Sequence, residues 1–143
     1  MQIAKLLAEK GPFVATISPD ASIAEAAQEM TARSIGALVV STDASTILGI
    51  ISERDIVRAI SESGAPVLDA SVRSMMSSHV RTCTPEDLVD SLMATMTDHR
   101  IRHLPVLTDG KLTGIVSIGD LVKARMDELE YDRNALEHYI TAR

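Results

Sequence analysis

This chain contains the same stretch twice, and that constrains its fold more than any other feature. VATISPDASIAEAAQEMTARSIGALVV, starting at Val14, overlays VRTCTPEDLVDSLMATMTDHRIRHLPV, starting at Val80. The overlay pairs Thr16 with Thr82, Pro19 with Pro85, Met30 with Met96, Ile35 with Ile101 and Leu38 with Leu104. After one deleted residue, GIISERDIV from Gly49 overlays GIVSIGDLV from Gly114. Internal repeats decide architecture before local patterning does. A copy of about 60 residues buries only a modest fraction of its surface alone, so the two copies are expected to pack as one unit.

Each copy reads strand, helix, strand, strand, helix, a mixed α/β arrangement of the α+β kind. Ile23, Ala26, Ala27 and Met30 share one helical face, and Val89, Leu92, Met93 and Met96 repeat that spacing. Ser22 and Glu25 form a capping box, and Asp87 is the expected N-cap in the second copy. Ile35 to Val40 and Ile47 to Ile51 are short, β-branched apolar runs around STDAS, matched by Leu104 to Leu107 and Leu112 to Val116 around TDGK. The following helix is expected over about Glu53 to Ile60 in the first copy, stopping near SESGAP. In the second copy it runs from Asp120 toward Ile140, because no Gly or Pro interrupts it. The boundaries are residues 1–68 for the first repeat with an N-terminal helix and the linker, 69–126 for the second, and 127–143 for a helical extension.

Composition removes several classes of function. Only Phe13, Tyr131 and Tyr139 are aromatic, too few for base-stacking platforms, and a formal net charge of -6 disfavours a phosphate polymer. No apolar run approaches the roughly 20 residues of a membrane span, and MQIAKLLAEKGPF breaks before a secretory h-region forms. The one cysteine, Cys83, makes neither an internal disulfide nor a Cys-rich zinc site, which points to the cytoplasm. His99 and His103 are four apart but lack a ligand cluster, so no metal is expected. Gly-x-Ser-x-Gly and P-loop motifs are absent, and no catalytic residue is assigned.

The chemistry sits where each Gly-Ile strand ends. Ser52 is followed three residues later by Asp55, and Ser117 by Asp120, in the first turn of a helix where backbone N–H groups are unpaired and the dipole is positive. A carboxylate there can accept both hydroxyls of a ribose, while the serine and free amides face a phosphate. The same spacing also serves as a plain helix cap. Arg102 and His103 stand where the first copy has Gly36 and Ala37, and Arg54 where the second has Gly119. These cations either meet phosphate or are ordinary solvated charges.

The paired strands, the two Gly-Ile-x-Ser-x-x-Asp segments and Arg102-His103-Leu104-Pro105-Val106 together resemble a tandem pair of cystathionine-β-synthase (CBS) domains over about residues 1 to 125. The resemblance implies two repeats packed about a pseudo-twofold axis and a regulatory sensor of adenosine compounds such as AMP, ATP, NAD or S-adenosylmethionine, the nucleotide being a regulatory ligand, not a cofactor. It assigns ribose to Asp55 and Asp120, the neighbouring phosphate or sugar to Ser52 and Ser117, and phosphate at the Asp120 site to Arg102 and His103. It maps adenine at the Asp120 site onto Ala15, Thr16, Ile17, Ile35 and Gly36, and at the Asp55 site onto Arg81, Thr82, Cys83, Ile101 and Arg102. Thr16 and Thr82 read equally as strand formers. A structural adaptor with empty clefts and a nucleotide-processing enzyme are the alternatives.

The resemblance further implies a homodimer and leaves room for a regulated protein partner. Met75, Met76, Met93 and Met96 suggest spare apolar helical surface. Leu129, Leu136, Tyr139 and Ile140 lie near one side of the extension, which either meets a second chain or folds back on its own.

Overall fold

The computed structural model describes residues 1–142. Its first half runs α1 (Ile3–Lys10), β1 (Thr16–Ile17), α2 (Ile23–Arg33), β2 (Ala37–Val40), β3 (Gly49–Ser52) and α3 (Glu53–Ser63). A 3-10 turn (Ala65–Asp69) and α4 (Val72–Met75) lead to α5 (Val89–His99), β4 (His103–Thr108), β5 (Lys111–Ser117) and α6 (Ile118–Thr141). β2 lies between β1, which it pairs in parallel, and β3, which it pairs antiparallel. β4 and β5 form an antiparallel hairpin. It turns at Asp109 and Gly110, both at positive φ, the Asp-Gly arrangement of a two-residue hairpin loop.

The repetition in sequence becomes repetition in structure. α2 and α5 are eleven residues each and end on residues in the left-handed region, Ser34 and Arg100, both at φ 53°. The first strand of the second repeat shrinks to one parallel bridge, Cys83 to Val106, the counterpart of Ile17 to Val40. The Ser22–Glu25 capping box forms. Asp87 does not cap α5: the N-cap is Leu88, and the Asp87 carboxylate accepts the Thr84 N–H at 2.8 Å to close the preceding turn. The Val89 N–H donates instead to the Met1 carbonyl at 2.9 Å, so the N-terminal segment satisfies a helix donor that a cap would otherwise take.

Each core is completed by a segment from the other side of its repeat. Ile3 and Leu6 of α1 are buried with Val89, Leu92, Leu104 and Leu121 of the second repeat. The Ile3 and Ala4 N–H groups donate to the Asp87 and Pro85 carbonyls, both at 2.9 Å. Val72 of α4 is buried with Ile23, Leu38, Ile51 and Ile56 of the first, and its N–H reaches the Ala21 carbonyl at 2.7 Å. α1 therefore packs into the core of the second repeat and α4 into that of the first: chain order does not reveal which core a flanking helix fills. The glycines record this exchange. A Cβ on Gly114 would stand 2.9 Å from Leu7 Cδ2 of α1, and one on Gly49 would stand 2.6 Å from Met76 Sδ after α4.

Two readings of the apolar surface change. Met96 is buried and Met93 packs against the second core, while Met75 and Met76 pack against the first, so these methionines are core, not spare surface. Of α6 only Leu121 and Ala124 are buried. Met126, Leu129, Leu136 and Ile140 are exposed, so the extension does not fold back to cover them. Among the described residues no helix is long and apolar enough to cross a membrane.

Candidate functional site

The site begins at the starts of α3 and α6. Ser52 Oγ accepts the Asp55 N–H at 3.3 Å, and Asp55 Oδ2 accepts the Ser52 N–H at 2.9 Å and its hydroxyl at 3.0 Å. Ser117 Oγ accepts the Asp120 N–H at 3.1 Å, and Asp120 Oδ2 accepts the Ser117 N–H at 2.9 Å. The capping reading of Ser-x-x-Asp is thus realised in both repeats. It engages Oδ2 of each aspartate and leaves Oδ1 outside the cap. Cap and ligand roles are compatible, because a carboxylate carries more acceptor sites than the cap uses.

A cavity of about 380 Å³ opens beside Asp55. Ser52, Glu53, Arg54, Asp55 and Arg58 line it from the first repeat, and Arg81, Arg100, Ile101, Arg102 and His103 from the second. Arg58 lies three residues after Asp55, on the same helical face. His79 and His99 join the wall. Arg102 Nη2 is 4.0 Å from Glu53 Oε1.

A second cavity, about 570 Å³, opens beside Asp120. Ala15, Ile35, Gly36, His103, Ser117 and Asp120 line it together with Lys10, Phe13 and Arg33. Lys10 Nζ donates to Asp120 Oδ2 at 2.6 Å and to the Ile115 carbonyl at 2.8 Å. Burial alone raises the Asp120 pKa, but the Lys10 and Ser117 hydrogen bonds outweigh it and hold the carboxyl below its ordinary range. Arg33 hydrogen-bonds Glu29 at 2.9 Å and its guanidinium lies 5.0 Å from the Phe13 ring centre, a cation–π distance.

The two cavities share Gly36, Ala37 and His103. A Cβ on Gly36 would fall 3.1 Å from Glu53 Oε1 and 3.4 Å from His103 Cε1, so glycine lets the repeats approach here. Burial first, then the Arg102 charge, lower the His103 pKa against the opposing pull of Glu53.

Several expected residues fall elsewhere. Arg102, expected beside adenine at the Asp55 site and as a phosphate ligand at the Asp120 site, lines the Asp55 cavity and not the other. It precedes His103 at the start of a strand, where successive side chains leave on opposite sides. Thr16, Ile17, Thr82 and Cys83 line neither cavity. Ile17 and Cys83 are buried in the two cores, and burial pushes the Cys83 thiol up to about 12. Lys10, Phe13, Arg33, Arg58 and His79 were not singled out from sequence. Only Arg58 carried a readable signal, its helical spacing from Asp55.

Two α/β repeats with paired helix-start clefts at their junction define a tandem-repeat module. A CBS-domain family model matches residues 11–62 and 72–127, and the chain belongs to the CBS-domain family. It is 38% identical over 125 residues to the mitochondrial CBS domain-containing protein CBSX3 of Arabidopsis thaliana, covering 85% of this chain and 61% of that one. A CBS-domain-containing protein of Agrobacterium tumefaciens superposes with a TM-score of 0.85 at 46% identity, covering 87% of this chain and 99% of that one. A CBS domain protein of Pyrobaculum aerophilum complexed with AMP superposes with a TM-score of 0.72 at 29% identity, covering 84% and 89%.

Proposed function

We propose that this chain is a regulatory CBS pair that takes adenosine compounds into its two clefts and reports their level through conformation or partner affinity, working as a homodimer in the cytoplasm. The observation that carries the reading is the same Ser-x-x-Asp cap at both cavities, with an aspartate oxygen outside the cap at each. That oxygen suits ribose hydroxyls, and the cavity sizes fall in the range of small-molecule sites. The AMP held by the Pyrobaculum protein supports the ligand class. The test is calorimetry with AMP on the Asp55→Ala, Asp120→Ala double variant, with circular dichroism to check the fold. Affinity should fall at least about tenfold, or about 1.4 kcal/mol. Unchanged affinity would leave the aspartates as caps alone.

The Lys10–Asp120 pair favours a second reading for that cleft: a structural closure in which the ammonium occupies the place of ribose. Single variants separate the two. If Asp55→Ala removes all binding while Asp120→Ala removes none, the Asp120 cleft is closed.

A further inference from the structure

The charges around the two clefts are arranged differently. Arg54, Arg58, Arg81, Arg100 and Arg102 line the Asp55 cavity, five of the chain's 14 Lys and Arg residues, although the chain as a whole is negative. Only two carboxylates, Glu53 and Asp55, line it with them. Among the described residues, the guanidinium groups of Arg54, Arg58, Arg81 and Arg100 make no ion pair or hydrogen bond; Arg102 has Glu53 at 4.0 Å. Like charges gathered on a concave wall raise the local potential, and counter-charge entering the cavity lowers it. The cations also come from both repeats, so one multiply charged ligand here would tie the repeats together.

The Asp120 cavity is the reverse. Its lysine is bonded to Asp120 and to a backbone carbonyl, and its arginine is bonded to Glu29 and stacked over Phe13. A phosphate entering this cleft would have to draw one of these cations from an existing partner. The apolar wall of Phe13, Ala15 and Ile35 suits a base and sugar without such an exchange.

We propose that the two clefts sort adenosine ligands by charge: the Asp55 cleft takes a ligand with two or more phosphates, and the Asp120 cleft takes an uncharged or singly charged nucleoside. The adenosine part rests on the function proposed above; the sorting rests on the arginines. Guanidinium groups bind phosphate through paired, charge-assisted hydrogen bonds, and such attraction weakens with salt.

The experiment titrates adenosine, AMP, ATP and inorganic tripolyphosphate, without divalent metal, into the Asp120→Ala and Asp55→Ala proteins at low and high salt. With only the Asp55 cleft intact, ATP should bind about a hundredfold tighter than adenosine, and the preference should shrink as salt rises. With only the Asp120 cleft intact, adenosine and ATP should differ by less than about threefold. Arg54→Ala with Arg58→Ala in the otherwise natural chain should weaken ATP and tripolyphosphate at least about tenfold and leave adenosine unchanged. This last variant leaves both capping boxes in place, so it remains informative if an aspartate variant fails to fold. Adenosine and ATP binding with the same ratio at both clefts would overturn the sorting while leaving the adenosine reading intact. Tripolyphosphate binding that depends on Arg54 and Arg58, with ATP no tighter than tripolyphosphate and neither adenosine nor AMP bound at either cleft, would overturn the adenosine reading and leave a polyanion site.

Discussion

His103 stands at the wall between the clefts and Asp120 lines one of them, and both resist protonation in the folded chain. The ordinary His value is 6.5, and His103 lies below it because burial and the Arg102 charge disfavour the imidazolium; Lys10 acts in the same direction, while Glu53 and Asp120 oppose it. The unfolded chain therefore takes up this proton first. The stability tied to His103 is present above about pH 6.5 and is lost as pH falls through the lowered folded value. Asp120, depressed from its ordinary 3.8, contributes stability that is present above that value and is lost as pH falls through its folded pKa. Thermal melts from pH 8 down to pH 3 should therefore show two losses. His103→Asn should flatten the one beginning near pH 6.5, and Lys10→Met the one beginning near pH 4. A His103→Asn protein with the unaltered upper limb would show that this histidine is not its source. Ser52, Asp55, Ser117 and Asp120 were readable because a three-residue spacing at a helix start is local. Lys10 was not, because its ammonium reaches Asp120 from a helix 110 positions away along the chain.

The swapped helices explain why two glycines at matching positions differ in what they tolerate. At Gly114 an added Cβ meets only Leu7 side-chain carbons, at 2.9 Å and 3.1 Å, and a leucine side chain can turn aside. At Gly49 it meets Met76 Sδ at 2.6 Å and also the Ser77 carbonyl oxygen at 2.8 Å. That carbonyl is held in place: it accepts the Ile50 N–H at 3.0 Å, and the Ser77 N–H returns to the Ile50 carbonyl at 2.9 Å. Gly49→Ala should therefore cost about 3 kcal/mol and Gly114→Ala about 1 kcal/mol, read from urea midpoints at constant slope. Equal costs would mean that the Ser77 backbone yields as easily as a side chain. The helices and hairpins themselves were legible, since apolar periodicity, a capping box and Asp109-Gly110 act within a few residues. The exchange of α1 and α4 was not, because amphipathic spacing shows that a face is buried but not against which repeat.

Taken as one body, the chain carries its apolar residues in two closed cores and then leaves a third set uncovered. Val57 and Ile60 on α3, and Val122 and Met126 on α6, are exposed on the last helix of each repeat. Leu129, Leu136 and Ile140 continue the α6 stripe beyond the repeat and are each at least half exposed. From Val122 through Met126, Leu129 and Leu136 to Ile140, successive spacings of four, three, seven and four keep them near one side of a helix, the pattern of a seam that meets another helix. Monomeric proteins rarely leave contiguous apolar surface of this kind, and its near-repetition on α3 and α6 matches a face that meets a copy of itself. The methionines of the repeats are spent in the cores, so this face is where the proposed homodimer would form. Light scattering at micromolar concentration should give about twice the 15.4 kDa chain mass. Leu129→Asp with Leu136→Asp should reduce it to the mass of one chain, with circular dichroism unchanged, because both side chains are exposed in the single chain. A natural chain that scatters as a monomer with and without AMP would remove the dimer. A double variant that stays dimeric would move the interface from the α6 extension to the outer faces of the repeats, around Val57 and Val122.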